Sequence, residues 1–155
     1  MAGRVLGVDV GARRVGLAIS DRSATLARPL ETIAVASDDD AVDRVARRID
    51  ALLRDDDGLA AIVVGMPAAL DGAKTPESAR VSRFIASLST RTTLPIAVQD
   101  ERLTSVEAES RLAVRERDWK KRKEKIDAAA AAIILQDYLD WTGRAGGAGR
   151  PGGSE

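Results

Sequence analysis

The sequence predicts an α/β domain built as a mixed β-sheet with helices on both faces. Two short runs, residues 4–10 and 60–65, are almost wholly apolar and rich in valine, as strands buried on both sides must be. A third run, residues 15–20, alternates large and small side chains in the period-two manner of a strand. Between and after the strands, apolar residues recur at helical spacing, which places helices between strands.

Residues 4–10 (Arg-Val-Leu-Gly-Val-Asp-Val) form the first expected strand, bounded by Gly11. After the turn at residues 11–14, Val15, Leu17 and Ile19 fall on one side of a second strand. Gly16, Ala18 and Ser20 fall on the other, so the pair reads as a hairpin. A third strand is expected over residues 30–35. Ser37 is then a good N-cap, followed by acids that suit a helix N-terminus. The stripe of that helix is Val42, Val45, Ala46, Ile49, Leu52 and Leu53.

The apolar strand at residues 60–65 leads to a turn at Asp71-Gly72. Thr75 followed by Pro76 is an N-cap with proline at the first helical position, opening a helix to about Leu88. A fifth strand is expected over residues 94–98. Thr104 to Glu107 has the capping-box pattern for a helix through about Val114. A basic stretch then precedes a final helix over residues 125–141. The folded domain is expected to span residues 1–142. Residues 143–155, with six glycines, are expected to be a disordered tail.

The 155 residues are 45% hydrophobic and 31% charged, within the range of soluble globular proteins. No apolar run reaches the ~18–20 residues of a membrane span, and the first residues show no signal-peptide pattern, so a cytoplasmic protein without a membrane partner is expected. Cysteine and histidine are both absent. That excludes thiol nucleophiles, thiolate and imidazole metal sites and the commonest general base. Chemistry on this chain must use carboxylates, amines, guanidinium groups, hydroxyls or a hard metal ion. Twenty-four basic residues balance twenty-four acidic ones, so any surface for an anionic polymer must be local.

Three carboxylate positions qualify as functional. Asp9 lies near the carboxyl end of an apolar strand, where a buried charge needs a cation, donors or solvent; a turn bonded to the backbone of Gly11 or Ala12 is the plain alternative. Glu101 follows the fifth strand, at the sheet edge where open α/β sheets bind ligands, and Asp100 competes with it. Asp127 is expected in the first turn of the last helix, favoured there by the helix dipole, yet Ala130, Ala131 and Ile134 put it on the apolar stripe. Oxygen ligands without histidine suit Mg²⁺ or Mn²⁺. The stretch from Arg115 to Lys125 holds seven cations, three anions and Trp119, a composition that suits phosphate contacts or an exposed loop.

The motifs together are more specific. Gly-Val-Asp-Val-Gly-Ala-Arg-Arg-Val-Gly-Leu-Ala (7–18), Val-Val-Gly-Met-Pro (63–67), Leu-Asp-Gly (70–72), Asp-Glu-Arg-Leu-Thr-Ser-Val-Glu-Ala (100–108), Lys-Ile-Asp-Ala-Ala-Ala-Ala (125–131) and Ile-Leu-Gln-Asp-Tyr-Leu (134–139) occur in this order. They resemble the YqgF/RuvX family of bacterial ribonuclease H-like proteins, whose members are named as pre-16S rRNA nucleases or Holliday junction resolvases. The resemblance spans about residues 4–141. It implies a three-layer α/β/α fold with a five-stranded mixed sheet and a catalytic, metal-binding triad of Asp9, Glu101 and Asp127. It also implies Mg²⁺ or Mn²⁺ as cofactor and cytoplasmic maturation of the 16S rRNA 5′ end, with four-way-junction cleavage as the family's other activity.

The expected partner is structured nucleic acid, precursor rRNA or branched DNA. Arg13, Arg14, Arg102, Lys120, Lys121, Arg122, Lys123 and Lys125 are the candidate contacts, and a monomer or a homodimer would serve. Two rival readings are a non-catalytic nucleic-acid-binding factor and an actin-like nucleotide-binding module. The second needs two lobes with paired Asp-x-Gly hairpins, and this sequence has one.

Overall fold

Alternation in residues 14–20 organises the sheet. In the computed structural model, which describes residues 3–67, 74–100 and 119–145, strand β2 (Arg14–Ser20) turns Val15, Leu17 and Ile19 into one apolar core. Ala18 faces a second core on the opposite side. Strand β1 (Arg4–Val10) pairs antiparallel with β2, placing Leu6 opposite Ile19 and Asp9 opposite Gly16. The hairpin closes where the Gly11 N–H donates to the Arg14 carbonyl at 2.9 Å.

Strands β3 (Ala27–Ala34), β4 (Leu59–Met66) and β5 (Ile96–Asp100) complete a five-stranded sheet in the order β3-β2-β1-β4-β5. The hairpin strands and β3 are antiparallel, whereas β1, β4 and β5 run parallel. The expected third strand begins three residues earlier than its pattern suggests. Pro29 is tolerated because β3 is an edge strand, and a register irregularity falls between Leu17 and Ala18, the latter opposite Pro29. The fifth strand begins two residues later than expected. Pro95 has no N–H for the ladder; its carbonyl accepts from Ile62, and regular pairing starts at Ile96.

Helices α1 (Asp38–Leu53) and α2 (Pro76–Leu88) cover one face. Ser37 caps α1 by accepting from the Asp40 N–H, and Thr75 and Ser78 form a reciprocal capping box at α2. The α1 stripe is buried as read from Val42 to Leu52, but Leu53 is 45% exposed, since the helix ends as its face turns from the core. Helix α3 (Trp119–Ala145) covers the other face, packing Ala131, Ile134, Leu135 and Leu139 on Val5, Ala18 and Val63. The result is the expected three-layer α/β/α arrangement.

α3 is longer than its sequence pattern predicted. It begins six residues before Lys125, so the basic run from residue 120 is helical, and it continues to Ala145 rather than yielding to a tail at 143. Lysine and arginine are good helix formers, so the run extends the helix toward Trp119. The turn at Asp71-Gly72, the helix expected from Thr104 and the tail beyond residue 145 lie outside the described residues. No helix among the described residues is long and apolar enough to cross a membrane.

Candidate active site

Small residues bring α3 onto the sheet. A Cβ built on Gly7 would lie 2.8 Å from the Leu135 Cβ and 3.0 Å from the Ala131 carbonyl oxygen. One on Gly16 would lie 2.0 Å from the Asp127 carbonyl oxygen, a distance no side chain tolerates. The helix backbone therefore rests directly on the glycines of β1 and β2. The sequence shows them as the small members of the hairpin pattern, but not what they receive.

This close approach joins two of the predicted carboxylates. Asp9 is the antiparallel partner of Gly16, and directly opposed residues project from the same face of a sheet. Asp9 therefore shares the α3 face with Val5 and Gly7 and stands beside the glycine on which Asp127 lies. Both aspartates are half-buried. Asp9 belongs to the regular strand. The Gly11 N–H that could have bound it as a turn residue donates to Arg14 instead.

Asp127 corrects one expectation. It sits more than two turns inside α3, too far from the N-terminus for the helix dipole to explain it. Ala131 and Ile134 share its sheet-facing side, whereas Ala130 is buried in a separate cluster with Ile133. Its carboxylate is paired with Arg14, whose Nε donates to Oδ2 at 2.5 Å. Arg14, Gly16 and Ala18 alternate along β2, so the guanidinium reaches α3 from the same face that receives the helix.

Asp100 stands elsewhere. It ends β5 paired with Met66, and Met66 and Ile96 pack on the α1–α2 side of the sheet. Ala97 packs on the α3 side, so the odd-numbered residues of β5 share the face of Asp9. Asp100 is thus turned from the two aspartates. Glu101 and Arg102 lie outside the described residues, as do the side chains of Lys120, Lys121, Arg122, Lys123 and Lys125, whose backbone is helical. Arg13 is exposed at the hairpin tip. Among the described residues no group of three acidic side chains forms a ready cation site.

Residues 3–141 match the family described as RuvX, Holliday junction resolvase. The chain belongs to the RuvX family. Proteins named "Putative pre-16S rRNA nuclease" are similar over most of their length. The Chloroflexus aggregans protein is 43% identical over 136 residues, covering 88% of this chain and 92% of that one. The Geobacillus kaustophilus protein is 40% identical over 137 residues, covering 88% and 97%. Among solved structures, Thermus thermophilus RuvC in complex with a Holliday junction substrate superposes with a TM-score of 0.55 at 19% identity, covering 93% of this chain and 96% of that one. At that identity the likeness speaks for the fold, which is ribonuclease H-like.

Within this RuvX-family fold, the carboxyl ends of the parallel strands β1, β4 and β5 meet at one edge of the sheet. Asp9 is the penultimate residue of β1, so it lies at that edge rather than in mid-sheet. Arg14, expected from the sequence as a phosphate contact, is bonded to Asp127.

Proposed function

We propose that this chain is a metal-dependent nuclease that hydrolyses phosphodiester bonds in structured nucleic acid, with the 5′ region of precursor 16S rRNA as its substrate. The observation that supports this best is the juxtaposition of Asp9 and Asp127 across Gly16. Two half-buried carboxylates on one face, with no histidine or cysteine anywhere in the chain, make an oxygen-only donor set, which fits a hard divalent cation such as Mg²⁺ or Mn²⁺. Asp9 and Asp127 would hold the ion, and Glu101 is the candidate third ligand, since Asp100 faces the other side of the sheet. When bound, such an ion supplies water activation and stabilises charge on the departing oxygen.

The protein's own part is positional. Asp9 is fixed by its strand, and Asp127 by a helix that cannot shift without striking Gly16. Arg102 and the cations from Lys120 to Lys125 would hold backbone phosphates without reading sequence. The RNA substrate follows the names of the 40–43% identical relatives, and such maturation would take place in the cytoplasm. The family's description favours a second reading, cleavage of four-way DNA junctions.

One assay tests both. Purified protein is given a 16S precursor 5′ leader and a four-way DNA junction, with Mg²⁺ or Mn²⁺ and with chelator. Cleavage of the leader that chelator and Asp9→Asn both abolish is the expected result. Cleavage of the junction alone favours the second reading, and binding of either without cleavage in both metals refutes the nuclease.

A further inference from the structure

We infer that Arg14 is the built-in counter-ion of the cation site, holding Asp127 when no metal is bound and competing with the metal for it. The inference rests on the carboxylate site proposed above and concerns what sets its affinity.

Several observations converge on Arg14. Its pair with Asp127 is the shortest ion pair among the described residues, and it ties β2 to α3 across 113 positions of chain. The partners are only 34% and 25% exposed, so solvent screens them less than it screens the surface pairs of α1. Arg14 also stands diagonal to Asp9, because Asp9 opposes Gly16 and Arg14 lies two residues before it on the same face. Such diagonal neighbours lie roughly 7–8 Å apart. One guanidinium is thus positioned to offset both carboxylates.

The backbone of Arg14 is itself constrained. Its carbonyl accepts from Gly11, and a Cβ on Gly11 would approach that oxygen to 2.7 Å. The side chain therefore starts from a fixed point. A metal ion entering the site must exchange with this guanidinium, replacing one cation by another at Asp127. Two neighbouring carboxylates would otherwise repel in the metal-free protein. Arg14 removes that repulsion and weakens the site for metal in proportion.

Calorimetric titration of the full chain with Mn²⁺, without nucleic acid, reads this directly. Arg14→Gln should bind Mn²⁺ about two- to fivefold more tightly than the unaltered protein, the range expected for losing one partly screened ion pair. Arg14→Lys, which keeps the charge without the fork, should fall between them. Arg47→Gln makes the same change of net charge at an exposed position on α1 and should leave the affinity nearly unaltered. Asp9→Asn should abolish binding in either background. A purely structural Arg14 would leave Mn²⁺ affinity unchanged or weaken it on removal, and either result overturns the counter-ion role. The cation site survives that outcome if Asp9→Asn still lowers affinity. If neither the unaltered protein nor Arg14→Gln takes up Mn²⁺, the site and the counter-ion fall together.

Discussion

The carbonyl oxygen of Asp127 occupies the space in which a side chain on Gly16 would begin, 2.0 Å from the position of its Cβ. A mid-helix carboxylate is thereby carried to the strand pair that holds Asp9. The helix approaches closely because its sheet-facing residues include Ala128 and Ala131 and the strands present Gly7, Gly16 and Ala18.

Gly16→Ala should therefore be severe for a single methyl group. The oxygen it meets belongs to a helix backbone, so α3 must move as a body. A loss of about 3 kcal/mol is expected in urea denaturation, the upper range for overpacking. Gly58→Ala offers a contrast. Gly58 has φ +65 with nothing near its Cβ direction, so only backbone strain applies, about 1 kcal/mol.

Asp9→Asn should preserve the fold and remove the activity. The substitution is isosteric, and Asp9 is part of the regular β1–β2 ladder. Far-ultraviolet circular dichroism should be unchanged, while metal-dependent cleavage falls by about a thousandfold or more, as when one member of a catalytic constellation is lost. Asp127→Asn should lose cleavage similarly; a rate equal to the unaltered protein would remove Asp127 from the site.

Gln136 clamps α3 to the edge of the sheet. Its side-chain oxygen accepts from the Ala27 N–H at 2.9 Å, and its amide donates to the Thr25 carbonyl at 2.9 Å. Gln136→Leu leaves both backbone groups without that partner, and should cost about 1–3 kcal/mol. Hydrogen exchange should quicken at Ala27 before the central strands respond.

The turn after β2 makes stability sensitive to acid. The Asp21 carboxylate accepts from the N–H groups of Thr25 and Leu26 and from the Ser23 hydroxyl, and the Thr25 bond above all holds its pKa below the ordinary 3.8. A depressed folded-state pKa means the contribution is complete above the unfolded-state value and is lost as pH falls through the folded one. Asp21→Asn should thus flatten the fall in stability below about pH 4, followed by thermal melts at several pH values. In the same turn Ala24 has φ 56, so Ala24→Gly should raise stability by about 1 kcal/mol.

Local chemistry determined much of this protein from its sequence. Ser37, Thr75 and Pro76 announce helix starts because a capping side chain satisfies backbone donors only a few residues away. The hairpin faces follow from the two-residue period, and Asp9 is conspicuous as a charge in an apolar strand. The long α3 was only partly legible, since its basic first turns lack a cap signal and an apolar stripe. What tertiary structure alone decided is the bond between Arg14 and Asp127. Nothing at residue 14 indicates whether its charge faces solvent or a carboxylate 113 positions away; that depends on where a helix lands. Glycine shows that a backbone can come close, and only the fold shows which one does.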